Sequence, residues 1–194
     1  MDFDELNRFD LHYPGHWIAG SDRDWAGDTS LILSYIDEEF VRAVSSYAMF
    51  EPVTAHNVNH FLEKSRSKYA SCLNGIYATS FVISLDTIAK LLNVLRKYLA
   101  PPNAALRLIL KYESTFGHLK HIRDSIAHIE DRGRGVDKNQ KRILSNFLVL
   151  GAFNESCFEF TGSDGTLYGI EISEPTLMSA YEILQGIINV YYWE

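Results

Sequence analysis

Two cysteines in 194 residues are too few to staple this chain. Cys72 and Cys157 lie far apart in unlike surroundings, so neither a disulfide framework nor a zinc spacing is on offer. Reduced thiols in a cytoplasmic protein are the simplest expectation. No run of about 18 apolar residues occurs, so no membrane span is expected. The start, Met1-Asp2-Phe3-Asp4-Glu5, is acidic and has no apolar stretch, so no secretory signal is expected there. Internal repeats and low-complexity segments are missing too, which excludes solenoids. Gly133 and Gly135 stand between arginines but lack the lysine, the Ser/Thr and the preceding strand of a phosphate-binding P-loop. No Ser-His-Asp order or Cys-His elbow is present, and Cys72 sits on an apolar helical face and reads as core.

What is there is an ordinary soluble balance, 46% apolar and 22% charged, in a length that suits one domain. The net charge of -7 argues against non-specific binding to a long polyanion. Between Lys111 and Arg142, however, eight basic residues face five acidic ones, with three histidines besides. Such a stretch suits either a short phosphate-bearing ligand or a solvated helix end with a charged loop.

Residues 1–27 carry Phe3, Phe9 and Trp17 without a clear period, and read as an N-terminal arm that packs irregularly or covers a partner. A single domain is expected over 28–194. Asp28 suits the N-cap of a first helix, with Leu31, Ile32, Tyr35, Ile36, Phe40, Val44 and Tyr47 at spacings of three and four. Thr54 suits the cap of a second, long helix running to Leu99, which Asn74-Gly75 bends without breaking. Pro101-Pro102 stops it, and a third helix returns antiparallel through Leu106, Ile109, Leu110, Phe116, Leu119, Ile122, Ile126 and Ile129. Asp137 suits the cap of a short helix to Phe147. Alternation in Phe158-Glu159-Phe160-Thr161 and Tyr168-Gly169-Ile170-Glu171-Ile172, around Gly162-Ser163-Asp164-Gly165, predicts a β-hairpin over 157–172. A last helix over 174–193 carries Leu177, Tyr181, Leu184, Ile188 and Tyr191 as a core stripe, with a partner surface as the other reading. The expected fold is mainly α: a bundle with two long antiparallel helices and a small C-terminal hairpin.

The chemistry concentrates in Arg123-Asp124-Ser125-Ile126-Ala127-His128. An imidazole moves protons near neutral pH, and a guanidinium neutralises phosphate. On an ideal helix, Arg123 and His128 diverge by about 140° and do not grip one phosphate together. A second copy lying across small Ala127, or a local distortion of the helix, would be needed to join them. Lys120, His121, Arg132 and Arg134 are candidate phosphate contacts nearby. His118 and His121 extend that surface or are plain exposed helix residues. His56 and His60, at i and i+4, have a spacing that holds metal, but no third ligand stands near, and a polar helix edge explains them better.

Arg123 to His128 resembles the R-x4-6-H motif of the HEPN superfamily, with Asp124 at the polar position that follows the arginine. The motif's place late in a bundle with two long helices is similar as well, over roughly residues 28–150; the hairpin and the aromatic arm fall outside the family's minimal pattern. The resemblance implies a homodimer with a composite, metal-independent ribonuclease site in which Arg123 and His128 are catalytic and Asp124 supports them. It implies RNA as substrate, a toxin or defence role with an antitoxin or other partner protein, and no metal or organic cofactor. Other members are non-catalytic, so a module that binds a nucleotide or a partner protein is the alternative.

Overall fold

A computed structural model describes residues 3–16, 18–19, 23–50, 66–143 and 148–194. After a 3₁₀ segment (Phe3–Phe9) come helices α1 (Arg23–Met49), α2 (Arg66–Tyr98), α3 (Asn103–Phe116), α4 (Leu119–Ala127) and α5 (Ile129–Gly133). Strands β1 (Leu150–Asn154), β2 (Cys157–Thr161) and β3 (Leu167–Glu171) and helix α6 (Glu174–Ile188) follow. The protein is mainly helical with a small antiparallel sheet near its C-terminal end.

The longest helices are α1 and α2, and they pack on each other more extensively than any other pair. Leu33, Ile36, Phe40 and Ala43 of α1 meet the core that Phe81, Leu85, Ile88, Leu92 and Leu95 of α2 also enter. Ser46 and Ser80 hydrogen-bond across the pair at 2.9 Å. The apolar stripe of α2 is only partly used, because Leu73, Ile76 and Ile83 stay exposed. The segment Cys72–Tyr98 is long and apolar enough to cross a membrane by length and composition, but half of its most apolar window is buried inside the protein and it carries Asp86. It is the core helix of this fold.

Pro101-Pro102 reverses the chain as expected. Tyr112 of α3 is fully buried and donates its hydroxyl to Leu85 O of α2 at 3.0 Å. The third helix is not continuous: Gly117 and His118 interrupt it, and His128 interrupts it again with φ -122° and ψ 39°. So the long pair is α1 with α2, not the second helix with the third.

The sheet has three strands in the order β1-β2-β3, one more than the expected hairpin. β1 pairs with β2 through a bulge between Leu150 and Ala152. Gly151 forms it with φ +84°, where a Cβ would lie 2.9 Å from the Phe160 ring. The Asp137 carboxylate accepts the N–H groups of Asn139 and Lys141 at 2.8 and 2.9 Å, an Asx-type turn rather than a helix cap. The remainder of that expected helix, 144–147, lies outside the described residues, as do Thr54, His56, His60 and Trp17.

The arm packs on its own chain. Phe9, Leu11 and Ile18 are buried, and Ile18 pairs with Trp193 in an antiparallel bridge. His16 N–H donates to Glu194 O at 2.8 Å, and Ala19 N–H to Tyr192 O at 2.7 Å. Gln185 both accepts from His12 N–H and donates to His12 O, at 2.7 and 2.8 Å. The first helix starts at Arg23, more than a turn before the expected cap at Asp28.

Gly15 sits where a Cβ would lie 2.7 Å from Glu194 O and 2.9 Å from Trp193 Cβ. Gly15→Ala should therefore cost about 1–3 kcal/mol, because backbone rather than a flexible side chain must yield. A thermal melt should show a lower midpoint, and an unchanged one would refute the clasp.

Candidate functional site

Asp86 anchors the region. It lies on α2 at 4% exposure, and a carboxylate so buried requires partners. Arg123 Nη1 of α4 reaches its Oδ2 at 2.6 Å, and Lys90 Nζ, one turn along α2, reaches the same oxygen at 2.8 Å. Arg123 also donates Nε and Nη2 to Asp124 Oδ1, at 2.9 and 2.5 Å. Burial opposes the guanidinium charge, but Asp124 and Asp86 outweigh it and hold Arg123 protonated beyond its ordinary range.

Asp86, Lys90 and Arg123 line a cleft of about 610 Å³ between α2, α3, α4 and β3, a size that admits a small organic ligand. His118, Lys120, His121, Arg96 and Tyr168 also face it. The His121 ring stacks on Tyr168 with centroids 4.4 Å apart and planes 10° apart. The Tyr168 hydroxyl donates to Asp164 at 2.7 Å, so the β2–β3 turn fixes the platform. Most of the cleft's charge is neutralised internally, since Arg96 pairs with Glu113 at 2.9 Å while Arg123 and Lys90 share Asp86.

His128 is not among the residues that line this cleft. It sits at the break between α4 and α5, half-buried, and its carbonyl accepts the N–H groups of Asp131 and Arg132. The break turns the chain, so His128 neighbours Glu130 and Asp131, whose potential ligand atoms all lie within 4.8 Å of its own. Asp131 Oδ1 accepts Gln140 Nε2 at 3.0 Å and Arg134 Nη2. Those hydrogen bonds, with the nearby charges of Arg134 and His128, hold its carboxyl below the ordinary range even though burial acts against them.

The candidate phosphate contacts divide. Lys120 is exposed, His121 half-buried on Tyr168, and Arg134 exposed and paired with Asp131. Arg132 is 1% exposed, which removes it from any surface role. Its Nη1 donates to Val136 O at 3.0 Å and its Nε to Ser125 Oγ at 3.5 Å, so it braces the loop after α5 against α4. Ser125, itself buried, lies 2.8 Å from His121 O and 3.0 Å from Thr161 O, which ties α4 to β2.

Asp86, Lys90, Arg96 and Tyr168 were not singled out by sequence reading. A detectable signal existed for Asp86: an acid within an apolar helical stripe, one turn before a lysine. Comparison of the chain with family models, with curated proteins and with solved structures finds no match.

Arg132→Ala should lower stability by about 2–4 kcal/mol, through the void and the Val136 carbonyl left without its guanidinium donor. Lys120→Ala should stay within about 0.5 kcal/mol of the parent. Thermal denaturation of both compares them; equal midpoints would contradict the buried brace. His118 supplies a pH signature. Burial lowers its pKa below the ordinary 6.5, with hydrogen bonds to the backbone of Gly169 and Thr115 opposing the shift. The unfolded chain then binds the proton more readily. His118's contribution is therefore complete above pH 6.5 and lost as pH falls through the lowered folded value. His118→Gln should flatten that part of the stability–pH curve; an unchanged slope would contradict it.

Proposed function

We propose that the chain is a metal-independent endoribonuclease of the HEPN type, working as a homodimer in the cytoplasm. The observation that carries this reading is the helix break at His128, five residues after an arginine that faces a cleft. The break releases the imidazole from the regular helical direction, while Arg123 keeps a fixed charge. His128 takes the proton of a ribose 2′-hydroxyl, and that oxygen attacks the adjacent phosphorus. Arg123 stabilises the charge that gathers on the phosphate oxygens, with Asp124 orienting it. A protonated His128 from the second copy gives its proton to the departing 5′-oxygen. The products are a 2′,3′-cyclic phosphate and a 5′-hydroxyl, and DNA is inert because it lacks the attacking group. A second copy completes the site because His128 does not line the cleft of its own Arg123. Lys120, His121 and Arg134 steady the RNA backbone. A toxin or defence role, held in check by a partner protein, fits such an activity.

One observation favours the other reading, a non-catalytic module that binds a nucleotide or a partner protein. Asp86 and Asp124 already occupy the Arg123 guanidinium, so a phosphate must displace one of them.

Purified protein incubated with varied RNAs in chelator separates the two. Cleavage with 2′,3′-cyclic ends, reduced about 10²–10⁴-fold in His128→Ala and strongly in Arg123→Ala, supports the nuclease. Intact RNA throughout, with nucleotide binding retained, supports the module.

A further inference from the structure

The break at His128 gathers a ligand set that the ribonuclease reading leaves unused. An imidazole and two carboxylates, from His128, Glu130 and Asp131, place their donor atoms within 4.8 Å of one another. A regular helix spreads residues i, i+2 and i+3 around its axis. Here His128 leaves the helical conformation, and Asp131 folds back under it through Asp131 N–H to His128 O at 3.1 Å.

Asp131 is pre-positioned for the task. It is 8% exposed, and its donors from Gln140 and Arg134 both meet Oδ1, which leaves Oδ2 without a hydrogen-bond donor among the described residues. Glu130 is exposed and His128 half-buried, so an ion has an open approach with room for water ligands.

We propose that His128, Glu130 and Asp131 bind a borderline divalent cation of the zinc class, and that this ion switches the nuclease off. One imidazole with two carboxylates suits zinc, nickel or copper better than magnesium or calcium, which prefer all-oxygen shells. The inhibitory sense follows from His128 itself. The nitrogen lone pair that ligates an ion is the one that must accept the 2′-hydroxyl proton, so a loaded site has no free base. The switching half rests on the ribonuclease reading; the binding half does not.

Zinc ion titrated into the full chain, in competition with a chromophoric chelator, tests the binding half without RNA. The His56→Ala/His60→Ala double variant is the background, because those two histidines have their own metal-compatible spacing. One zinc per chain is expected there. Glu130→Gln should weaken it at least about tenfold, and His128→Gln should abolish it. No zinc uptake, or uptake unchanged in both variants, overturns the site. RNA cleavage tests the switch: zinc should suppress it, chelator should restore it, and Glu130→Gln should cleave normally yet resist zinc. Zinc bound as described without an effect on cleavage would overturn the switch and keep the site. Zinc bound as described by a chain that never cleaves RNA would sink the nuclease reading, and the switch with it.

Discussion

The region around the motif depends on the need of one buried carboxylate for counter-charge. Asp86 lies buried among the core-facing residues of α2, where an unpaired anion would be prohibitively unfavourable. Lys90 alone leaves part of that demand unmet, because its own side chain is largely in solvent. Arg123 meets the rest, and in doing so it fixes the rotation of α4 on α2. Once α4 is set, Ile122 and Leu119 face the core, Ser125 meets Thr161 of the sheet, and His121 falls on Tyr168. A polar constraint at one point therefore decides which residues of the motif segment look into the cleft.

That constraint shapes the functional reading in two ways. It holds the arginine in a defined place before any substrate arrives, which is what transition-state stabilisation requires. It also gives the arginine two carboxylates, which the phosphate of the proposed RNA substrate would have to outcompete. His128 is under no such constraint from Asp86. It answers instead to the turn that begins α5, with the neighbouring acids of that turn as its electrostatic environment.

Much of the architecture was readable from local pattern. The first helix, the proline stop, the alternating strands and the last helix follow from spacing and punctuation, and each is present, but the last helix ends at Ile188 rather than 193, because the residues after it turn back so that Trp193 pairs with Ile18. The apolar positions of the third helix keep a helical period through Ile129, and that period alone predicts a continuous element. Its interruptions fall at Gly117–His118 and at His128, and the contacts that accompany them, the Ser125–Thr161 tie and the buried Arg132, leave no periodic trace. Asp137 looked like a helix cap since caps and Asx turns use the same carboxylate chemistry. The first strand carries no alternation signal because its bulge at Gly151 breaks the two-residue period. For the site, residue types near the motif were legible, but burial was not. An arginine beside glycines suggests a basic loop, and only the packing reveals that Arg132 is inside while Arg134 is outside.

The bridge between Ile18 and Trp193 joins segments at opposite ends of the sequence. Among the described residues the bridge stands outside the sheet, and the backbone N–H groups of His16 and Ala19 both find their acceptors in the last residues of the chain, at Glu194 O and Tyr192 O. Release of His16 and Ala19 from the turn after α6 is then expected to be one cooperative event. Amide protons at His16 and Ala19 should exchange with solvent at a common opening free energy, set by the release of the clasp and distinct from that of the α1–α2 core.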